Sequence, residues 1–233
     1  MNLTLQTIPS TLISELLINS NFDGIVLDTE HGVFNEETLY SCIQIITLSK
    51  KVCYVRVTNL DKKLVRMCLD AGCDGIIFST VNSKKQAEKI LKYCHYPNNG
   101  GVRGCGLVRE NKWGKESLSI KKPKIIAQIE TKNSVDNLND IINCGFDFYI
   151  VGPYDLSNSL GKPAEWENDL YKKYIKKVFN NIPKNKLGVF LVTMSDIKDF
   201  INSNTDKPKI LISGMDAIYI KECSEKIVEM VNL

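Results

Sequence analysis

Several features that mark large classes of protein are missing from this sequence. No segment of its 233 residues is a long uncharged apolar run, and residues 1–4 have neither the basic head nor the apolar middle of a signal peptide. The formal net charge is only +3, and the lysines form no basic stripe interleaved with aromatic residues. We therefore expect a soluble, cytoplasmic protein without a membrane or nucleic-acid partner.

The eight cysteines do not have the spacing of a structural zinc site. No two of them are separated by two residues, as a Cys-x-x-Cys motif requires. Most lie among apolar residues, for example Cys42, Cys53 and Cys68. We expect reduced thiols that serve as small core side chains.

Short apolar runs alternate with amphipathic helical segments along the whole chain. The run at residues 24–28, Gly-Ile-Val-Leu-Asp, has no polar alternation, which is typical of a strand buried on both faces. Alternating strands and helices predict a parallel sheet, and eight such units predict a single α/β domain, a (β/α)8 TIM barrel over residues 1–233. The predicted strands are Leu3–Thr7, Gly24–Asp28, Val52–Val57, Asp74–Phe78, Ile125–Glu130, Phe146–Gly152, Leu187–Val192 and Lys209–Ser213. The predicted helices are 36–49, 62–71, 83–94, 134–143, 169–180, 195–203 and 216–231.

An open, doubly wound sheet is the competing architecture. Its dinucleotide-binding version needs Gly-x-Gly-x-x-Gly after a strand, and the chain has no such motif. Two long connections, residues 96–124 and 153–168, interrupt the alternation of strands and helices. Because long loops inside a compact domain are usually functional, we place both on the face of the barrel that carries the chemistry.

Polar side chains end several of the predicted strands. Asp28, Glu30 and His31 follow the second strand, and Arg56 lies near the end of the third. The fifth strand ends in residues 128–130, Gln-Ile-Glu, and the sixth leads into residues 152–155, Gly-Pro-Tyr-Asp. Any one of these residues could be a helix cap or a surface ion pair. Several at the carboxyl ends of parallel strands predict a site, because ligands bind at that end of α/β barrels.

The residue types at this rim predict metal-assisted chemistry on a 2-oxo acid. Glu130 and Asp155 offer two hard oxygen ligands, enough for a Mg²⁺- or Mn²⁺-like ion that a 2-oxo acid could chelate. The guanidinium of Arg56 could stabilise an enolate oxygen. His31 could move the proton, oriented by a nearby carboxylate such as Asp28 or Asp70.

The same segments carry a resemblance to a known family. The chain resembles the HpcH/HpaI aldolases, metal-dependent enzymes with a (β/α)8 barrel that cleave 4-hydroxy-2-oxo acids to pyruvate and an aldehyde. The resemblance covers nearly the whole chain. The segments that carry it are 22–31, 55–57, 69–77, 96–104, 128–131, 137–138 and 152–157.

The resemblance implies a role for each matching residue. Glu130 and Asp155 would be ligands of a divalent metal ion, Mg²⁺ or Mn²⁺ with Co²⁺ as a further option. Arg56 would face the enolate oxygen, and His31 would be the acid/base with Asp70 as its partner. The remaining implied roles are substrate contact for Gln128, Gly152, Pro153 and Asp155, and support from Asp28 and Glu30, with Asp28 ordering its loop.

Two segments depart from the family pattern. Relatives typically have an apolar residue followed by Pro-Met-Val after the fourth strand, whereas residues 78–81 here are Phe-Ser-Thr-Val. The family turn Tyr-Pro-Pro-x-Gly is replaced by Tyr-Pro-Asn-Asn-Gly-Gly at residues 96–101. These departures leave the aldehyde partner open.

Three alternatives stand beside a pyruvate-forming aldolase. A lyase of the citrate lyase β or malyl-CoA type would share the barrel and the metal carboxylates. It would depend on a CoA thioester, and no segment of the sequence indicates a nucleotide site. A catalytically silent barrel that binds 2-oxo acids would not need the set His31, Arg56, Glu130 and Asp155. A Schiff-base aldolase needs a lysine at the end of a central strand, and none is found there.

The partners follow from the same resemblance. We expect a small-molecule 2-oxo acid and an aldehyde as substrates or products. The resemblance also implies a homo-oligomer, often a hexamer or trimer of dimers in which the last helix, residues 216–231, is exchanged between neighbouring barrels. Packing of that helix on its own barrel is equally compatible with its apolar spacing.

Overall fold

A closed barrel of eight parallel strands forms the centre of the molecule. The computed structural model describes residues 1–117, 122–203 and 207–232. Each strand pairs with the next along the chain, and β8 pairs with β1 to close the ring. The (β/α)8 prediction is confirmed, and the open sheet is excluded. The strands are β1 Asn2–Gln6, β2 Gly24–Asp28, β3 Val52–Val57, β4 Gly75–Phe78, β5 Lys124–Ile129, β6 Phe148–Val151, β7 Leu187–Leu191 and β8 Ile210–Met215.

The helices of the described residues surround the barrel and follow their strands in order. Three capping side chains set helix starts that the sequence predicts well: Asn35, Asp61 and Ser83 each accept a backbone N–H of the first turn. The α-helices are α1 Thr11–Ile18, α2 Glu36–Leu48, α3 Lys62–Asp70, α4 Lys84–Cys94, α5 Lys132–Asp136, α6 Leu138–Asn143, α7 Pro153–Ser159, α8 Asp169–Asn181, α9 Met194–Ser203 and α10 Asp216–Val231.

Two apolar layers lie on either side of the strands. The inner layer fills the barrel with side chains such as Leu3, Val26 and Ile77. The outer layer lies between the strands and the helices and includes five buried cysteines. Both faces of β2 are buried, which explains its continuous apolar run. The cysteines of the outer layer are Cys42, Cys53, Cys68, Cys73 and Cys94.

The helices depart from the predicted pattern at three places. Helix α1 was not predicted. The predicted helix at 134–143 is two helices, α5 and α6, that meet at Asn137, whose ψ of 16° departs from the helical value. Helix α7 lies in the connection predicted as loop, where Pro153 occupies its first position.

Residues 96–117, the described first part of the connection 96–124, lie at the opposite end of the barrel from the predicted site. They follow a helix, α4, and not a strand, so they lie near the amino ends of the strands. Arg109 confirms this position, because its Nη1 donates to the carbonyl oxygen of Ala71, just before β4, at 2.6 Å. The prediction that this connection lies on the face that carries the chemistry is wrong for residues 96–117, and residues 118–121 lie outside the described part of the chain. The connection after β6, residues 153–168, does lie at the predicted face.

The last helix, α10, lies against the barrel at its start and is exposed along most of its remaining length, where Glu222 and Lys226 still contact Met194 of α9. Its start is anchored by Asp216, whose carboxylate accepts the backbone N–H groups of Thr7 and Ile8 at 2.9 Å each. Beyond the anchor the helix exposes apolar side chains, among them Ile227 at 56% and Val231 at 79%. The helix therefore does not bury its apolar face on its own barrel.

Among the residues that the structure describes, no helix combines the length and the apolar character needed to cross a membrane.

Candidate active site

Arg56 is the centre of the polar cluster at the carboxyl end of the barrel. It sits on β3 directly opposite Asp28 of β2 in the parallel register. Its Nε and Nη2 donate to the two oxygens of Asp28 at 2.8 Å each, and its Nη1 lies 3.0 Å from Oε2 of Glu30. Asp28 is fully buried and Arg56 is 4% exposed. The guanidinium is therefore held in one orientation by a two-oxygen pairing and a second carboxylate.

The guanidinium of Arg56 stays charged although it is buried. Burial by itself lowers the pKa of the guanidinium, but the hydrogen bonds from Asp28 and the nearby Asp28, Glu30 and Glu130 carboxylates raise the pKa by more. A guanidinium carries five N–H bonds, and the hydrogen bonds to Asp28 use those of Nε and Nη2, while Nη1 lies beside Glu30 as an ion pair. Among the described residues no other hydrogen bond engages the guanidinium, which leaves N–H bonds of Nη1 and Nη2 for a substrate oxygen.

The loop after β2 is ordered by the same residues. Oδ1 of Asp28 accepts the backbone N–H of Glu30 at 3.0 Å, and the hydroxyl of Thr29 donates to the carbonyl oxygen of Arg56 at 2.6 Å. These bonds fix the turn that carries Glu30 and His31. Asp28 thus both pairs with the guanidinium and shapes the loop.

Glu130 follows β5 and is almost completely buried, with 3% of its surface exposed. Its Oε1 accepts the backbone N–H of Thr80 at 2.6 Å and the Thr80 hydroxyl at 2.8 Å. Its Oε2 accepts a hydrogen bond from Nε2 of Gln128. Burial raises the pKa of the Glu130 carboxyl, and the neighbouring carboxylates of Glu30 and Asp155 raise it further, while the bonds from Thr80 oppose them.

Gly152 brings the sixth strand close to this carboxylate. A Cβ added to it would lie 3.0 Å from Oε2 of Glu130 and 3.0 Å from Nε2 of Gln128. Any side chain would therefore press on the Glu130–Gln128 pair. Because Gly152 has none, helix α7 can begin at Pro153 and carry the exposed Asp155 beside Glu130.

A cavity of about 300 Å³ opens at this end of the barrel. Four of its lining residues are polar: Asp28, His31, Arg56 and Asp155. His31 is exposed, and its loop brings it to the cavity wall. The remaining lining residues are Leu5, Gly152, Pro153, Tyr154, Phe190, Val192 and Met215.

Asp70 lies elsewhere in the chain. It ends α3, near the amino ends of the strands, and its Oδ1 accepts Nη2 of Arg103 at 2.6 Å. Arg103 also pairs with Glu110, whose Oε2 accepts the hydroxyl of Tyr96. The expected pairing of Asp70 with His31 is not formed within one chain, because the two residues lie at opposite ends of the barrel.

The residue types at the rim fit a divalent cation. Four carboxylates, from Asp28, Glu30, Glu130 and Asp155, surround one guanidinium. Burial raises the pKa of Glu130, the Glu30 and Asp155 carboxylates raise it further, and a bound cation would offset their repulsion. Within the described ranges no group of three His, Cys, Asp or Glu side chains could hold a metal. Two carboxylates, those of Glu130 and Asp155, could supply oxygen ligands, a donor set that suits an ion that keeps water and accepts a chelating substrate.

Sequence reasoning missed several residues of the site. Ser79 donates to Oε1 of Glu30 at 2.8 Å, and Thr80 holds Glu130. Phe190 of β7 lies under Arg56, 5.4 Å from guanidinium carbon to ring centre. The polar pair after β4 was visible in the sequence as a departure from the family pattern. The sequence did not point to Phe190, because an apolar residue in a strand usually belongs to the hydrophobic core.

Fold and site together define a (β/α)8 barrel with an arginine and several carboxylates at the carboxyl ends of its strands. The sequence model of the HpcH/HpaI aldolase/citrate lyase family matches residues 9–218, so the chain belongs to that family.

Two curated relatives are 2-keto-3-deoxy-L-rhamnonate aldolases of Escherichia coli. The chain is 28% identical over 193 residues to that of strain O6:K15:H31 (536 / UPEC), an alignment that covers 79% of this chain and 72% of the relative. It is 28% identical over 158 residues to that of strain K12, covering 65% of this chain. In this second alignment the chain spans 59% of the length of the relative.

Solved structures share the fold. An HpcH/HpaI aldolase/citrate lyase family protein from Burkholderia cenocepacia J2315 superposes with a TM-score of 0.88 at 20% identity, covering 100% of this chain and 95% of that one. The citrate synthase SbnG superposes with a TM-score of 0.81 at 23% identity, covering 99% and 93% of the two chains. At these identities the likeness establishes the architecture only.

Proposed function

We propose that the protein is a divalent-metal-dependent aldolase, a carbon–carbon lyase that reversibly cleaves a 4-hydroxy-2-oxo acid to pyruvate and an aldehyde. The observation that carries this proposal is the arrangement at one barrel mouth. The guanidinium of Arg56, fixed by Asp28 and Glu30, shares a cavity with Asp155 and His31 and lies beside buried Glu130. Membership of the family supports the same reaction class.

Arg56 is the group that stabilises the charge formed in cleavage. When the C3–C4 bond breaks, its electron pair moves toward C2 and leaves negative charge on the C2 oxygen. N–H bonds of Nη1 and Nη2 of Arg56 would serve that oxygen, and the Asp28 and Glu30 contacts hold the guanidinium in place before the reaction begins. Pre-oriented donors of this kind stabilise a transition state without reorganisation.

His31 is the group we assign to proton transfer. Its imidazole lines the cavity and is exposed, so it can take the proton of the C4 hydroxyl as the bond breaks. In the reverse direction it returns that proton to the aldehyde oxygen. Within one chain Asp70 does not contact His31, because it pairs with Arg103 at the other end of the barrel.

Glu130 and Asp155 are the residues we assign to the metal, Mg²⁺, Mn²⁺ or Co²⁺. When bound, the cation would act as a Lewis acid on the 2-oxo group. Gln128 and Thr80 hold the Glu130 carboxylate, and Gly152 and Pro153 place the backbone of the α7 start beside it.

The 2-keto-3-deoxy-L-rhamnonate aldolases make sugar-derived substrates the first to test. We propose that the substrate is a 2-oxo-3-deoxy sugar acid or a related diacid. We also propose that the enzyme is soluble and cytoplasmic.

The exposed apolar face of α10 supports a homo-oligomer. Ile220 is 54% exposed and Ile227 is 56% exposed, on a helix whose start is fixed to β1 and β8. Leu12 and Leu16 of α1 are also exposed on the barrel surface. We propose that α10 of one chain covers apolar surface of a second chain, as an exchanged helix in a hexamer or a trimer of dimers would.

The decisive experiment separates the pyruvate half-reaction from the choice of aldehyde. The purified protein, stripped with a chelator and resupplied with Mn²⁺, is incubated with pyruvate in D₂O, and loss of the methyl proton signal is followed by NMR. We expect exchange that requires Mn²⁺. A pyruvate-release assay over 2-oxo-3-deoxy sugar acids and 4-hydroxy-2-oxo diacids then identifies the aldehyde.

Matched variants test the assigned residues. Asp155→Asn and Glu130→Gln should abolish metal-dependent exchange, whereas Asp140→Asn, an exposed carboxylate of α6, should leave it unchanged. Arg56→Lys should reduce turnover by about 10²–10³-fold, since a lysine cannot reproduce the paired donors. Exchange that survives both chelation and Asp155→Asn would overturn the metal assignment. Wild-type protein without any exchange would indicate a silent binding barrel.

A further inference from the structure

Thr80 has an unusual backbone conformation beside the candidate metal site. It follows β4 and has a φ of 56°, in the left-handed region that β-branched residues rarely adopt. Such conformations persist only where surrounding contacts determine them, and they are found disproportionately at functional sites. The conformation of Thr80 therefore calls for a reason in its contacts.

Contacts on both sides of Thr80 hold the turn in place. The carbonyl oxygen of Thr80 accepts Nε2 of Gln86 at 3.0 Å, and the backbone N–H of Asn82 donates to Oε1 of the same glutamine at 2.9 Å. Gln86 lies on α4, so the helix anchors the turn by one side chain. Asn82 also contacts the hydroxyl of Thr131, directly after Glu130.

The result of this conformation is a double hydrogen bond to one carboxylate oxygen. The backbone N–H of Thr80 and its hydroxyl both donate to Oε1 of Glu130, at 2.6 and 2.8 Å. The amide of Gln128 donates to the other oxygen, Oε2, so hydrogen bonds on both oxygens hold the carboxylate. Oε2 also lies close to Gly152, where an added Cβ would come within 3.0 Å, just before helix α7, which carries Asp155.

We propose that Thr80 is a positioning residue that orients Glu130 toward the divalent cation. The inference rests on the proposed function. Thr80 does not bind the cation or the substrate; it holds Oε1 while Gln128 holds Oε2, and so keeps the Glu130 carboxylate in one orientation next to the start of α7, which carries Asp155. Groups that orient a ligand in this way commonly change metal affinity by 10–100-fold when they are removed.

The test measures metal binding without catalysis. Mn²⁺ is titrated into the full-length, chelator-stripped protein, and free Mn²⁺ is read by electron paramagnetic resonance. Thr80→Val keeps the shape and the backbone N–H but loses the hydroxyl, and should weaken Mn²⁺ binding about tenfold. Thr80→Ser restores the hydroxyl and should bind within about twofold of wild type. Thr47→Val, which removes a hydroxyl bonded to helix α2 backbone, is the control and should not alter binding.

Each outcome decides the proposal. Weakened binding in Thr80→Val with recovery in Thr80→Ser supports it, and wild-type affinity in Thr80→Val overturns it. If Thr80→Val does not fold, Thr80→Gly decides by the same criterion, because glycine accepts the positive φ and keeps the backbone donor. If wild-type protein shows no saturable Mn²⁺ binding, the metal site of the proposed function itself is wrong, and the role of Thr80 falls with it.

Discussion

Arg56 and Asp28 form a two-oxygen ion pair across neighbouring strands, with both N···O distances at 2.8 Å and almost no solvent contact. Opposite positions in the parallel register of β2 and β3 create the pair. Glu30 contacts the same guanidinium. The candidate catalytic arginine therefore also links the second and third strands of the barrel.

We expect Asp28→Asn to destabilise the protein by about 3–5 kcal/mol, because it leaves a buried guanidinium without its carboxylate. Urea unfolding monitored by circular dichroism measures the loss. The control is Lys63→Gln, which breaks the exposed pair of Lys63 and Glu36 and should leave the midpoint unchanged. Equal effects of the two substitutions would mean that the buried pair contributes no more than a surface one.

The pH dependence of stability should report on Glu130. Burial raises the pKa of this carboxyl in the folded protein, so the native state keeps a proton that the unfolded state has lost. Stability of the metal-free protein should fall as pH rises from about 4.3, the ordinary glutamate value, through the raised pKa. Glu130→Gln removes the ionisation, and its stability should gain on wild type over that window.

Urea unfolding at several pH values in the presence of a chelator measures this difference. Glu229→Gln, at an exposed position of α10, is the control and should show no such gain. Adding Mn²⁺ at neutral pH should reverse the order, because a metal that binds the native carboxylate stabilises wild type and not the variant. A constant difference across the pH range would show that Glu130 is not strained by burial.

We expect Arg103, near the amino ends of the strands, to contribute to the stability of the fold. Its side chain is 1% exposed and pairs with Asp70 and Glu110 at 2.6 Å each. Arg103→Met leaves both carboxylates without their cation, and we expect a loss of about 3–5 kcal/mol. Arg66→Met, an exposed arginine on α3, should be near neutral. Unfolding midpoints, together with faster proteolysis within residues 103–117, would distinguish the two variants.

The oligomer should depend on the apolar face of α10. Ile227→Lys places a charge on that face and should shift the protein toward a smaller species, because a lysine cannot be buried there without a partner. Glu229→Lys, on the polar side of the same helix, should leave the assembly unchanged. Light scattering coupled to size exclusion gives the mass of each. A monomeric wild type would contradict the proposed helix exchange.

Local pattern was enough to predict the barrel and to place several candidate residues at its carboxyl face. The apolar runs fixed eight strands, and parallel strands place their carboxyl ends at one face, so Asp28, Arg56 and Glu130 had to lie on the same side. Strand ends shifted by one or two residues, as at β6, because boundaries depend on pairing and not on the run itself. The site could be predicted to the extent that it lies directly on strand ends.

Contacts between distant segments could not be inferred in the same way. The position of Asp70 could not be predicted because it ends a helix, and only the fold shows that α3 runs back to the amino ends of the strands, where Arg103 meets it. Residues 96–117 were placed on the wrong face for the same reason. The role of Thr80 could not be predicted, because a threonine after a strand forms no sequence pattern and its positive φ is visible only in the structure.

The amino-acid sequence by itself determined the closed parallel barrel, the family and the identities of the rim carboxylates and arginine. Those properties follow from the period of apolar residues and from residues at strand ends, which are local. Only the tertiary structure decided which side chains contact each other. Partners such as Asp70 and Arg103, or Thr80 and Glu130, lie tens of residues apart and meet only in the folded barrel. It also decided that α10 turns its apolar face away from its own barrel.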